Sequence, residues 1–263
     1  GFPEEGSPAL AEAEEACAAI LRRFPAGDGL PPMRGVTVDL DRREVRVEAQ
    51  VAQVGTLIEL FACTRGGKTH ETAMVLLARP SHIHAALLAL GLTPGLPPHV
   101  DPDDPAPRGD FVDLYVAWPG PDGEERTVRA EELVLNVHTE EAMEARAWVF
   151  TGSRFQRDAL PDGSEREVYL ADATGEVITT YFQGAPVLHT SSEYGYDDTS
   201  FRTRPDRIPP AGTSVTLVIV PTPAEAAEAL RARILESGER PHVTPEGGQP
   251  QDLDRRQQEG EEP

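Results

Sequence analysis

Apolar and polar residues alternate along much of the chain, which is the pattern of half-buried β-strands. The alternation is clearest in VTVDL (36–40) and EVRVEAQV (44–51), whose short DRR connection predicts a β-hairpin. DFVDLYVAW (110–118) and ERTVRAEELV (125–134) predict a second hairpin across PGPDG. A third pair is predicted between AWVFTGSRF and REVYLADA, with EVITTYF continuing it. These hairpins favour a mainly antiparallel sheet, with TSVTLVIV (213–220) as a final buried strand.

Three other stretches have the apolar spacing of a helix. SPALAEAEEACAAILRRF (7–24) carries Ser7 at the capping position and Pro8 at the first helical position. PSHIHAALLALG (80–91) predicts a short helix that ends at a glycine, and PAEAAEALRARILES (223–237) predicts a C-terminal helix. The predicted fold class is therefore α+β: a mainly antiparallel sheet built from hairpins, with flanking N- and C-terminal helices.

The same pattern divides the chain into four parts. They are an N-terminal helix (1–27), an α+β domain (28–221), a C-terminal helix (222–238) and a disordered acidic tail (239–263). Within the α+β domain, the polar stretch 189–212 is predicted to be a long loop.

Composition and charge argue against several classes of partner. The 263 residues carry a formal net charge of −21, which repels phosphate backbones and anionic lipid, so no nucleic-acid partner is expected. No run of about 18 apolar residues occurs, so no membrane span is predicted. The chain starts at Gly1 without a methionine, which predicts a mature, exported form, periplasmic or extracellular, whose signal segment has been removed. Cys17 and Cys63 allow either one disulfide or two buried thiols.

The segment TRGGKTHET holds Lys68, the only lysine among 24 basic residues. A phosphate-binding loop is not predicted, because that motif needs a glycine where this chain has Ala62. Gly66 and Gly67 can adopt backbone angles closed to other residues, so the turn is predicted to fold back and offer acceptors to the ammonium group. With Glu71 as its nearest charge partner, Lys68 would then be a structural latch, a side chain that holds together the predicted strands TLIELFACT and TAMVLLA on either side of the turn. The alternative is a solvated turn lysine.

Histidine and carboxylate side chains at this turn raise two chemical alternatives. Zinc or a similar divalent metal would be held by His70, Glu71 and His84. His82 is excluded from that set, because residues two apart on a helix lie about 200° apart around its axis. An enzyme would use Lys68, His70 and Glu71 for charge and acid–base function. The structural alternative for His84 is a histidine of the core.

The segment LIELFACTRGGKTHETAMVLLARPSHIHAALLALGLTPG resembles the signature of the YdjY-domain family of bacterial proteins, common in planctomycetes. WVFTGSRF, EVYLADATGEVIT and PPAGTSVTLVIV resemble later blocks of that family in the same order, so the resemblance covers about residues 35–220. The family hallmarks fall on the turn and on the helix after it: Gly66, Gly67, Lys68, His70, Glu71, Pro80 and His84.

What the resemblance implies about function is limited, because the family is functionally uncharacterised. It implies export, as for many relatives, and some relatives carry ferredoxin-type cysteine clusters. With two cysteines, this chain cannot hold an iron–sulfur cluster by itself.

These features together predict an exported, non-catalytic binding or accessory domain, of which a subunit of a larger protein assembly is one form. A protein partner and no cofactor are expected. The predicted ligand- or partner-binding residues belong to the turn and to the helix after it: Gly66, Gly67, Lys68, His70, Glu71 and His84. An enzyme or a metal-binding protein that uses the same turn is the alternative.

Overall fold

A computed structural model of the protein describes residues 33–98, 106–160 and 162–236. The strands in these ranges are β1 Val36–Asp39, β2 Glu44–Val51, β3 Leu60–Thr64, β4 Thr72–Leu76, β5 Pro94–Leu96, β6 Arg108–Pro119, β7 Glu125–Arg129, β8 Val134–Asn136, β9 Glu141–Ala142, β10 Trp148–Phe150, β11 Phe155–Ala159, β12 Glu165–Tyr169, β13 Glu176–Thr179, β14 Leu188–Thr190, β15 Phe201–Thr203 and β16 Ser214–Pro221. The helices are α1 Pro80–Ala89, α2 Leu170–Thr174 and α3 Ala224–Glu236, with short 3-10 helices at Thr69–Glu71, Ala130–Leu133 and Glu193–Tyr196. The predicted N-terminal helix and acidic tail lie outside the described residues.

Eight of the strands close into a barrel in the order β2-β16-β6-β10-β14-β13-β3-β4. Closure is possible because β2 pairs with β16 along one edge and with β4 along the other. Most neighbours are antiparallel, but β3–β4 and β13–β14 are parallel. The expected β-rich fold with some helices is therefore confirmed, whereas the expected simple sheet built from hairpins is wrong. Alternation along a strand reports which face is buried, and it does not report which strand lies beside it.

Two of the three predicted hairpins are present, since β1 pairs with β2 and β6 pairs with β7, both antiparallel. The third is wrong as predicted, because Gly152 and Ser153 have φ angles of 87° and 59° and end the strand that AWVFTGSRF was expected to form. β10 therefore pairs with β6 and β14, while β11 and β12 form a separate hairpin. β13 does not continue that hairpin; it pairs with β3 and β14.

The predicted long loop 189–212 is also only partly a loop. It contains the end of β14 and the whole of β15, which pairs with β8 in a three-stranded outer sheet. These strands are only three residues long, which is too short for an alternation pattern to show.

The main core lies among the barrel strands and under α1. Trp148 and Phe61 are fully buried there, with ring centroids 5.6 Å apart. α1 begins at Pro80, which suits the first helical position because its missing N–H is not needed there. Its residues Ile83 and Leu87 are buried in the same core.

The C-terminal helix α3 lies where the sequence predicted a helix, and it packs against the wall of the barrel. Ala227 and Leu230 form a small apolar cluster with Phe111 of β6, Val149 of β10 and Ala147, which precedes β10. Of the helices in the described ranges, none has the length and apolar character needed to cross a membrane.

Candidate functional site

The segment 65–71 is the connection between two parallel neighbours, β3 and β4. Leu60 pairs with Thr72 and Thr64 with Leu76, so the chain must return along the full length of β3 before β4 begins. At about 3.3 Å per residue this return covers roughly 13 Å. Parallel strands are usually joined by a dozen residues or more. This connection is shorter, so it lies directly against the strands that it joins.

Gly67 is required by a close approach of two backbone segments. A Cβ atom at position 67 would lie 3.0 Å from the carbonyl oxygen of Gly175 and 3.0 Å from Cβ of Cys63. Gly175 ends α2 with a φ of 75°, and its carbonyl oxygen accepts a hydrogen bond from the amide of Thr64 at 2.7 Å. At Gly66 a Cβ atom would meet only Oγ1 of Thr64, at 3.9 Å.

The expected reason for the glycine pair was therefore wrong. Neither Gly66 nor Gly67 is among the residues with positive φ in the described ranges. The turn favours a residue without a side chain at position 67, because an added Cβ atom would lie unusually close to Gly175 and Cys63.

Lys68 is paired with a carboxylate that precedes β3. Its Nζ lies 2.6 Å from Oε2 of Glu59 and 4.0 Å from Oε2 of Glu71. The prediction that Glu71 is the nearest charge partner is therefore wrong, and the closest acceptor is a carboxylate rather than a turn carbonyl. Burial lowers the pKa of Lys68, but the hydrogen bond that Lys68 donates to Glu59 and the charges of Glu59, Glu176 and Glu71 outweigh this effect, so the net pKa is raised. Lys68 is thus held in its charged form, although 41% of its side chain is exposed.

Glu176 adds a third, more deeply buried carboxylate to this cluster. It is buried at the start of β13, where it lies opposite Cys63 of β3. Burial raises the pKa of Glu176, the charge of Lys68 lowers it and the charge of Glu59 raises it, with a net increase. The single ammonium group therefore serves several carboxylates.

The side chain of His70 faces solvent. Its side chain is 75% exposed, and Nε2 lies 3.4 Å from Oε1 of Glu71. The 3-10 helix Thr69–Glu71 is closed by the amide of Glu71, which donates to the carbonyl oxygen of Lys68 at 3.1 Å. Lys68, His70 and Glu71 are therefore brought together, as the sequence predicted.

His84 belongs to a different, fully buried cluster. Its Nδ1 lies 2.8 Å from the Tyr169 hydroxyl, which donates its hydrogen to the carbonyl oxygen of Gly152 at 2.8 Å. Nδ1–H of His84 is then the donor to the tyrosine oxygen, and the bare Nε2 is buried with no hydrogen-bond partner in the part of the chain that the structure describes. Burial lowers the pKa of His84 to about 3, so the imidazole is neutral. The structural alternative for His84, a core histidine, is what the structure contains.

Cofactor chemistry at these residues is limited by this separation. Across residues 33–98, 106–160 and 162–236, no group of three or more His, Cys, Asp or Glu side chains is arranged to hold a metal ion. The predicted metal set of His70, Glu71 and His84 stays a prediction. Cys63 carries a free thiol, and burial raises its pKa to about 11, so it is protonated. Cys17 lies outside the described residues.

Sequence reasoning missed three residues that build this site: Glu59, Gly175 and Glu176. A signal existed for the two glutamates, because each interrupts or heads an apolar segment, TLIELFACT or EVITTYF. A charged residue in such a segment is costly to bury unless it is paired. The single lysine was the available partner, but only the pairing of β3 with β13 and β4 brings these residues together.

The fold is a closed barrel of mixed strand direction, with a charged turn between two of its parallel strands. The sequence profile of the YdjY domain matches residues 36–220, which is more than half of the chain, so the chain belongs to the YdjY domain family. No match was found among curated proteins or among solved structures.

Proposed function

We propose that this protein is an exported, non-catalytic binding domain that contacts a protein partner through its turn surface, formed by Lys68, His70 and Glu71. The observation that carries the proposal is the combination of exposure and fixed position at this turn. His70 is 75% exposed and Lys68 41% exposed, while Gly67 packs against Gly175 without space for a side chain. Preorganised polar groups lose little entropy on binding, which favours recognition.

The charge of the turn surface indicates the kind of partner. Glu59, Glu71 and the buried Glu176 surround a single Lys68, so carboxylates exceed cations in this cluster. The chain as a whole carries a formal net charge of −21. A partner with a basic segment is therefore favoured, because opposite charges steer the encounter and discriminate against acidic partners.

The state of the turn lysine favours binding over catalysis. A lysine that acts as a nucleophile or base needs a lowered pKa, and the pKa of Lys68 is raised by its carboxylate neighbours. The histidines whose pKa is lowered most, His84 to about 3 and His189 to about 4, are fully buried in the core.

Site-specific photo-crosslinking tests the proposal. A photoreactive amino acid at position 70, in cells that make the protein naturally, should yield one major protein adduct. The same amino acid at Arg157, which is 73% exposed on the β11–β12 hairpin, is the control position. The adduct from position 70 should fall about tenfold when Glu71→Lys reverses the local charge. Equal adduct yields from positions 70 and 157 would contradict the proposal.

Export is part of this proposal and rests on the family resemblance. Fractionation of cells that express the natural gene should recover the protein outside the cytoplasm. Recovery with the cytoplasmic fraction would remove this part and leave the binding surface to be tested separately.

A metal-binding form of the same turn has its own test. Since His84 lies in the core with Tyr169, the set His70, Glu71 and His84 requires a rearrangement of α1. Elemental analysis of protein purified without a histidine tag, after incubation with zinc and gel filtration, decides this. A zinc-to-protein ratio near zero ends the metal proposal, and a ratio near one that falls in His70→Ala supports it.

A further inference from the structure

Glu131 is a carboxyl group buried where the barrel joins the outer sheet. It lies in the 3-10 helix Ala130–Leu133, which connects β7 to β8. Only 1% of the residue is exposed. Its Oε1 accepts hydrogen bonds from the indole Nε1–H of Trp148 at 3.2 Å and from Nη2 of Arg129 at 3.3 Å. Its Oε2 is buried and has no hydrogen-bond partner within the described ranges.

The arginine beside Glu131 is shared with a second carboxylate. Nη2 of Arg129 lies 2.8 Å from Oδ1 of Asp113, closer than it lies to Glu131. Nη1 of Arg129 donates to the Tyr115 hydroxyl at 3.3 Å. The guanidinium group of Arg129 thus lies beside two carboxylates, and its shorter contact is with Asp113. The ionised form of Glu131 is therefore costly in free energy, because one carboxylate oxygen has no hydrogen bond and the neighbouring cation is shared with Asp113.

The remaining charged groups around this segment lie on its solvent side. Glu132 accepts from the amide of Arg129 at 3.2 Å, and Arg204 donates to the carbonyl oxygen of Glu132 at 3.4 Å. β9, which also packs against the segment, supplies the exposed Glu141, and β8 supplies no titratable side chain. None of these groups compensates the unpaired Oε2 of Glu131.

We propose that Glu131 is a buried proton-binding site that couples pH to the seating of the segment Ala130–Leu133 on the barrel. Proton uptake by Glu131 removes a charge that is unfavourable in the core, so it favours the closed state, in which the segment Ala130–Leu133 is seated on the barrel. Ionisation favours an open segment in which the carboxylate reaches water. Burial raises the pKa of Glu131 by more than its own backbone amide, Arg129 and Trp148 together lower it, which agrees with this direction. A group whose pKa is higher in the closed state binds its proton more tightly there, so proton binding must favour closure.

Hydrogen exchange at one backbone amide directly measures how often the segment Ala130–Leu133 opens. The amide of Val134 donates to the carbonyl oxygen of Glu131, so its exchange reports opening. After correction for the intrinsic rate, the opening equilibrium of the natural chain should rise with pH, by up to about tenfold per unit, above the ordinary glutamate pKa of about 4.3. It should level off once Glu131 is ionised in the closed state.

Two matched variants make the assignment specific. Glu131→Gln keeps the shape and an acceptor for Trp148 but cannot ionise, so opening at Val134 should lose this pH dependence. Glu132→Gln removes the neighbouring exposed carboxyl and should retain it. A flat profile in the natural chain, or an unchanged profile in Glu131→Gln, overturns the proposal.

The indole signal of Trp148 provides a measurement that needs no folded Glu131 variant. The chain has two tryptophans, and Trp118→Phe leaves Trp148 as the only one. Its indole proton resonance should move with a midpoint above about 4.3, the ordinary glutamate value. A resonance that does not move above about pH 5 would overturn the proposal.

Discussion

The turn surface and the His84 cluster come from neighbouring parts of the family signature, yet their polar groups meet opposite surroundings. At the turn, Lys68 and His70 keep contact with water while carboxylates hold the lysine in place. In the cluster, His84 is fully buried and its ring nitrogen is tied to Tyr169. One half of the signature is therefore a charged surface, and the other half is a hydrogen-bonded part of the core.

This difference shows that a signature residue need not be a site residue. His84 connects α1, through Tyr169, to the carbonyl oxygen of Gly152, whose φ of 87° lies in the left-handed region. That arrangement is sufficient to explain why a histidine stands there. His70 has no comparable structural role, because most of its side chain contacts solvent. A functional test should therefore be directed at the turn, and a stability test at the cluster.

The largest expected effect is on stability when the two histidines are each truncated. His84→Ala removes a fully buried ring together with its hydrogen bond to the Tyr169 hydroxyl, so the free energy of unfolding should fall by about 3 kcal/mol. His70→Ala removes an exposed ring and should change it by less than about 0.5 kcal/mol. Urea unfolding of both variants measures the contrast. Similar losses for the two would show that the turn histidine is also structural.

The second prediction concerns acid. Burial lowers the pKa of His84 to about 3, below its ordinary value of 6.5. Between these values the unfolded chain binds a proton that the native state does not, so stability is full above about pH 6.5 and falls as pH drops. The slope is about 1.4 kcal/mol per pH unit for one histidine, and His189, whose pKa is lowered to about 4, adds a similar slope.

His84→Gln serves as the control for this slope. Between pH 6.5 and 4.5, the free energy of unfolding of this variant should fall less steeply with decreasing pH than that of the natural chain. The difference in slope should correspond to one proton, about 1.4 kcal/mol per pH unit. Lys68 should not contribute there: its pKa is raised above 10.5, so its stabilising effect is complete in this range and is lost only as pH rises through the folded value. An unchanged slope in His84→Gln would mean that His84 is not buried as a neutral ring.

The third prediction compares the two glycines of the turn. Gly67→Ala places a methyl group against the carbonyl oxygen of Gly175 and Cβ of Cys63. The free energy of unfolding should therefore fall by about 2 kcal/mol. Gly66→Ala meets only Thr64 at 3.9 Å and should be neutral or slightly stabilising. Thermal unfolding of the pair measures the difference. Equal losses would indicate that backbone angles, and not the contact with Gly175, require the glycines.

The smallest expected effect belongs to the lone lysine. Because 41% of the Lys68 side chain is exposed, its pair with Glu59 is screened, and Lys68→Arg should cost less than about 1 kcal/mol. A double-mutant cycle with Glu59→Gln should give a coupling energy within the same limit. A loss above about 2 kcal/mol would show that Lys68 is a structural latch of the kind first predicted from its place in the sequence.

Local features of this fold could be predicted because they depend on neighbouring residues. The alternation of EVRVEAQV places β2 at Glu44–Val51, and the proline and glycine around PSHIHAALLALG bracket α1. The hairpins β1–β2 and β6–β7 were predicted for the same reason, since their turns are short. The third hairpin was predicted wrongly, because the left-handed backbone at Gly152 and Ser153 leaves no trace in an alternation pattern.

The candidate site was predicted in part. Lys68, His70 and Glu71 lie within one turn, so their proximity follows from the sequence itself. The role of Glu59 does not follow from it, because Glu59 reaches Lys68 only when the segment 65–71 returns along β3.

The sequence by itself determined longer strands such as β2 and β16, the helix α1, the family and the turn in which the only lysine stands. The tertiary structure decided that the sheet closes into a barrel, that β3 and β4 run parallel, and that Gly67 and Gly175 touch. It also decided that the two signature histidines separate, one into water and one into the core. The physical reason is that periodicity records the burial of one residue at a time, whereas closure and pairing depend on contacts between segments far apart in the chain.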